Sequence, residues 1–106
     1  MKKTESLRVS VSAAVDRVHL VLHPNEGFDL GLMKVDQLVT LCRNIGLEAY
    51  LKGGRGDSDE VSLVLHNECP PHTIMLGRSL YRLLGEPAKA VLLLDGQRLF
   101  VHPQAR

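Results

Sequence analysis

The densest grouping of residues able to do chemistry is His66-x-x-Cys69-x-x-His72. Imidazole and thiolate are natural zinc ligands, and three of them plus a water make an open site. Pro70 and Pro71 stiffen the loop between them. The spacing is poorly specific, because no paired Cys-x-x-Cys or longer His spacing accompanies it. The same loop invites a thiolate–imidazole nucleophile, with Glu68 as the nearest third group. His23, His66 and His102 each end an apolar run, where a polar side chain simply meets solvent. The reading expects no metal, no cofactor and no catalytic residue, and holds a small metal- or thiol-dependent enzyme around His66, Cys69 and His72 as an alternative.

Basic residues give a second alternative. Arg78 and Arg82 fall one turn apart on a predicted helix, with Lys89 and Arg98 as neighbours. Like charges at that spacing are mildly destabilising in isolation, so the pair hints at a partner carboxylate or phosphate, and a nucleic-acid-binding factor is one such reading. RNA-binding sheets stack bases on aromatics, yet the outward positions here hold His19, Val21, Ser62 and Val64. Gly53-Gly54-Arg55-Gly56 lies between two predicted strands, where a phosphate loop needs a helix to follow. The Arg55-Gly56-Asp57 tripeptide reads as chance, and Asp57, Asp59 and Glu60 read as a solvated loop.

Bulk properties bound these ideas. The chain of 106 residues, 44% hydrophobic and 24% charged, suits one soluble domain that needs no staple. A net charge of +1 provides no global field toward nucleic acid or anionic membrane. The two cysteines, Cys42 and Cys69, read as reduced. The run Val9 to Val15 is broken by Ser10 and Ser12 and ended by Asp16 and Arg17, unlike a signal peptide. No stretch approaches the roughly 18 apolar residues of a membrane span. The expected location is cytoplasmic.

The elements that would position these residues follow from periodicity. Val9, Val11 and Ala13 alternate weakly with polar neighbours. Val18-His19-Leu20-Val21-Leu22-His23 and Val61-Ser62-Leu63-Val64-Leu65-His66 nearly copy each other as strands. Val35, Leu38, Cys42 and Ile45 make a helical stripe, predicting a helix over 33–45 closed by Gly46. Leu47, Ala49 and Leu51 alternate, predicting a strand, and 47–66 reads as a long-looped hairpin. Thr73 is placed to cap a helix over 74–84 whose apolar face is Leu76, Leu80, Leu83 and Leu84. Strands over 88–94 and 99–101 flank the turn Asp95-Gly96.

The resulting order β-α-β-β-α-β-β most simply gives a ferredoxin-like split βαβ fold: an α+β two-layer sandwich with a mainly antiparallel sheet and two helices on one face. A mostly parallel three-layer sheet is the competitor. Residues 1–7 are expected to be flexible, 8–103 to form the domain and 104–106 a tail. In the split fold the two repeated strands run antiparallel, which would set His23 and His66 roughly 15–20 Å apart at about 3.3 Å per residue.

Association has the widest support. If the leucines of the two repeated strands face the helices, Val21 and Val64 face outward. Val91-Leu92-Leu93-Leu94 is apolar on both sides, so it needs a second cover from the N-terminal strand, the tail or another subunit. The expectation is a small non-enzymatic binding module (a regulator, inhibitor or accessory subunit) that acts through contacts with a protein partner or with itself as a homodimer. Val21, Val64, Tyr50, Leu93 and Phe100 are its interface candidates, and Arg78 and Arg82 its polar contacts.

Overall fold

Alternation of inward and outward side chains dominates this chain and closes it into a barrel. The structure, a computed structural model, describes residues 1–16 and 18–104. Arg17, read as ending the broken apolar run, and Ala105 and Arg106 of the expected tail lie outside the described residues.

In chain order the strands are β1 (Lys2–Lys3), β2 (Leu7–Val11), β3 (His19–Leu22), β4 (Asp36–Arg43), β5 (Asp57–Leu65), β6 (Thr73–Leu76), β7 (Lys89–Asp95) and β8 (Arg98–Pro103). The short helices are α1 (Pro24–Asp29), α2 (Leu47–Leu51) and α3 (Arg78–Leu83). Neighbours run β7-β2-β6-β3-β5-β4-β8, and β8 pairs back to β7, closing a mixed seven-strand barrel. β1 lengthens the β2 side of β7, through Lys2↔Leu94 and Lys3↔Leu93. Thr4 bridges the irregular step between β1 and β2: its N–H donates to the Leu92 carbonyl at 2.9 Å and its hydroxyl accepts the Leu92 N–H at 3.1 Å. Lys2, Lys3, Thr4 and Leu7 thus pair with or bond to β7, and Thr4 and Leu7 are buried.

This architecture overturns the expected ferredoxin-like split βαβ sandwich. The decisive difference is β4. Its eight residues pair rung by rung with β5, from Asp36↔Val64 to Arg43↔Asp57. The apparent helical stripe comes apart: Val35 and Leu38 are exposed, while Val39 and Leu41 fill the barrel. Val39 and Thr40 are β-branched and lose little in a strand, so the long ladder outweighs a weak 3.6-residue pattern. Gly46, expected to end a helix, instead precedes α2 as its N-cap. The segment predicted as a strand over 47–51 is that single helical turn. The helix predicted over 74–84 splits at Gly77 into β6 and α3. A Cβ at Gly77 would lie 2.7 Å from the Val15 carbonyl oxygen, so the loop before β3 needs glycine there to pack against β6. Thr73, expected as a cap, is a buried residue of β6.

The repeated run is resolved most simply of all. β3 and β5 are neighbours, parallel, and in the register of the repeat itself: Leu20↔Leu63, Val21↔Val64, Leu22↔Leu65. The antiparallel arrangement of these strands is corrected, and His23 and His66 leave the barrel at the same end. Between them the chain makes α1, β4 and α2 before returning as β5.

Two cores result. Leu20, Leu22, Val39, Leu41, Leu63, Ile74, Leu76, Leu92 and Leu99 fill the barrel interior. Outside the wall, Cys42, Tyr50, Leu93 and Phe100 form a second cluster with Ile45, Leu47 and Val91. The cover that Val91–Leu94 requires thus comes from α2, through Tyr50. Among the described residues no helix is long and apolar enough to cross a membrane.

Candidate partner-binding face

Outward positions on β6, β3, β5 and β4 line up across the barrel wall. Val21 sits opposite Met75 on one side and Val64 on the other, and Val64 sits opposite Asp36. The next row along holds His19, Ser62 and Leu38. Because side chains alternate along a strand, burying Leu20, Leu22 and Leu63 in the interior forces Val21 and Val64 to the outside. The loop after β2 flanks the row. Its Ser12 N–H donates to the Leu76 carbonyl at 2.9 Å, which holds Ala14 and Val15 beside the two valines.

Two shallow depressions result. One of about 390 Å³ is lined by Ala14, Val15, His19, Val21, Asp36 and Val64 among others. The other, of about 330 Å³, shares Ala14, Val15 and Val21 and reaches Met75 and His66. The floor is apolar and the rim carries His19, Asp36, His66 and Glu68. Beyond Asp36 the apolar surface continues into Leu38 and Met33, which are 56% and 93% exposed.

The structure brings Val21 and Val64 into direct apposition. Tyr50, Leu93 and Phe100 also meet one another, but inside the second cluster. Tyr50 and Phe100 stack at 5.1 Å between ring centroids, and the Tyr50 hydroxyl donates to the Arg98 carbonyl at 2.7 Å. Arg98 returns the contact: its guanidinium lies 4.6 Å from the Tyr50 ring centroid and bonds the Tyr50 and Gly54 carbonyls and Asp95. Arg98 is therefore committed to α2 and does not join Arg78 and Arg82. Those two are exposed at the start and in the last turn of α3, and neither has an ion-pair partner among the described residues. Met75, Leu38, Val35 and Met33 were missed by the sequence reading, because Leu38 and Val35 were assigned to a helix face and Met75 to a helix.

His66, Cys69 and His72 do not converge. The Cys69 thiol is buried in the barrel wall, 3.6 Å from the Val21 and Thr73 carbonyls. Burial pushes its pKa up, reinforced by the nearby Glu26 charge. The His66 ring accepts the Glu68 N–H through Nδ1 at 3.1 Å, as His23 accepts the Asn25 N–H at the start of α1. His72 holds a left-handed backbone, φ 57°, with its ring 3.9 Å from Glu5 and 3.7 Å from Glu26. Among the described residues no group of three or more His, Cys, Asp or Glu is arranged to hold a metal.

Cys42 is buried as well, and burial raises its pKa against the lowering influence of Arg98 and Arg55. Unfolded thiols ionise at roughly 8.5, whereas these two remain protonated to higher pH. Above that point the unfolded chain binds fewer protons than the folded one, so stability falls as pH rises, by up to about 1.4 kcal/mol per pH unit for each fully shifted thiol. Urea midpoints measured from pH 7 to 10 should decline, and should decline less steeply in a Cys42→Ala/Cys69→Ala variant. Equal slopes would rule the thiols out as the cause.

Glu26 also escaped the sequence reading. It is buried in α1, its Oε1 accepts the His72 N–H at 3.1 Å, and its Oε2 has no hydrogen-bond partner among the described residues. A buried carboxylate with one unsatisfied oxygen is costly.

No protein-family model matches this chain, and no curated protein sequence matches it. The functional reading therefore stands on the face itself.

Proposed function

We propose that the protein is a non-enzymatic binding module that engages a protein partner across the outer wall of β6, β3, β5 and β4. The observation that carries this reading is the Met75–Val21–Val64 row, which lies outside a barrel whose interior is already filled, and which runs on past Asp36 into exposed Leu38 and Met33. Contiguous apolar surface rimmed by polar groups is the usual mark of an interaction site. The centre of such a site is apolar and its charged residues sit at the rim, as His19, Asp36 and Glu68 do here. Regulator, inhibitor and accessory subunit all fit this mode of action, and self-association is its homodimeric form. The two free thiols suit a reducing compartment such as the cytoplasm.

The test is affinity capture from native lysate with the wild-type protein and with Val64→Lys, alongside light scattering of both. Proteins retained by the wild type and lost from the variant support the reading, as does a wild-type dimer that the variant converts to monomer. Identical capture and identical mass for the two proteins overturn it.

A further inference from the structure

β4 is paired unequally on its two sides. Toward β5 it is paired along all eight residues, but β8 reaches only Thr40, Leu41 and Cys42. The Leu65 N–H donates to the Val35 carbonyl at 2.8 Å, which sets the phase of the ladder. Val35, Gln37 and Val39 exchange bonds with β5, and the N–H and C=O of Asp36 and Leu38 point the other way. At Thr40 that side is taken, since its N–H donates to the Gln97 carbonyl at 2.6 Å. Before Thr40, no strand among the described residues covers it. The gap is a depression of about 610 Å³, lined by Met33, Asp36, Leu38 and Gln97 among others.

The barrel has another uncovered stretch, and the contrast is informative. β5 extends beyond the end of β3 over Asp57 to Val61. That stretch carries Asp57, Asp59 and Glu60, the kind of charged edge that resists strand addition. The β4 gap carries exposed Leu38 and exposed Met33 instead.

We infer that this gap is a strand-addition edge, and that it takes an extended peptide segment of a protein partner, with an apolar residue across from Leu38. This deepens the proposed binding function and rests on it. Main-chain bonds to Asp36 and Leu38 supply the attachment, and the adjoining apolar wall supplies selectivity. A second copy of the chain fits poorly. Pairing β4 with its own copy about a two-fold at Gln37 places the copy's Lys34 opposite Thr40, where Gln97 already sits. Residue 35 of the copy is held in its own ladder by Leu65, so it cannot bend away. A peptide that ends or turns at Thr40 has no such conflict.

The experiment selects nine-residue random peptides, displayed with a free end, on the immobilised full chain. Enriched peptides are then titrated by fluorescence anisotropy against the wild type, Leu38→Pro and Leu38→Val. Proline at 38 removes the outward N–H without touching the β5 ladder. The expected result is saturable binding, weakened tenfold or more by Leu38→Pro and little by Leu38→Val, with slowed hydrogen exchange at the Asp36 and Leu38 amides of the wild type. No enrichment, or binding that Leu38→Pro leaves unchanged, overturns the proposal. If Leu38→Pro does not fold, the exchange readout decides, and unslowed Asp36 and Leu38 amides overturn it. A wild-type dimer that Leu38→Pro dissociates overturns the peptide occupant in favour of a second copy. Failure here while Val64→Lys still abolishes partner capture removes the edge and leaves the wall as the binding face.

Discussion

Tyr50→Ala should remove about 4 kcal/mol of stability, a large part of the roughly 5–15 kcal/mol typical of a domain. α2 spans only Leu47–Leu51, far too short to persist as a helix by itself. What holds it is Tyr50, which is 0% exposed. Its ring stacks on Phe100 and its hydroxyl lies 2.7 Å from the Arg98 carbonyl and 3.2 Å from that of Leu93. Truncation deletes the ring, strands part of the Arg98 guanidinium and uncovers Cys42, Leu93 and Phe100. In thermal unfolding the midpoint should fall by roughly 20 °C. Tyr50→Phe loses only the hydroxyl bond and should cost about 1 kcal/mol. Alkylation of Cys42 should accelerate sharply in Tyr50→Ala and only slightly in Tyr50→Phe. A loss below about 1.5 kcal/mol in Tyr50→Ala would mean that α2 does not seal the second cluster.

Val64→Lys should leave the fold nearly intact and abolish partner binding. Val64 is half-buried on the outside of β5, directly across from Asp36 on β4. A lysine there gains an opposite-charge cross-strand neighbour, worth a few tenths of a kcal/mol, so the barrel loses little. The same ammonium stands beside Val21 in the middle of the apolar row. Residues at the centre of an interface contribute about 2 kcal/mol or more, and burying an unpaired charge against a partner adds to that. Affinity for a captured partner should therefore fall about thirtyfold or more, measured by calorimetry or interferometry, while the unfolding midpoint moves by no more than a few degrees. Lys52→Glu, just past α2 and away from this face, should bind as the wild type does. Unchanged affinity in Val64→Lys would move the interface elsewhere on the barrel.

How far the site was legible in the sequence depends on the residue. Val21 and Val64 were readable as outward because each stands between leucines in a strict alternation, and the barrel keeps that alternation. Tyr50, Leu93 and Phe100 were readable as apolar residues needing cover, but not as covering one another. Their meeting depends on α2 folding back over β7 and β8, a contact between residues more than forty positions apart. Leu38, Val35 and Met33 were hidden by the helical stripe. Glu26 and Cys69 were unreadable as partners in burial, since one lies in α1 and the other in the loop before β6.

Taken alone, the sequence determined the local pattern: the runs that become β3, β5, β7 and β8, the Asp95-Gly96 turn, whose Gly96 has φ 62°, the repeat, and the outward valines. These follow from side-chain alternation and turn chemistry, which act within a few residues. Only the tertiary structure decided that β4 is a strand, that the repeated strands run parallel, and that the sheet closes. Each of those outcomes rests on ladders between distant segments, such as β4 with β5 and β7 with β8, whose many bonds and buried rows outweigh the preferences of any short window. The same closure stops β8 at Thr40 and leaves Asp36 and Leu38 with no strand on their β8 side among the described residues.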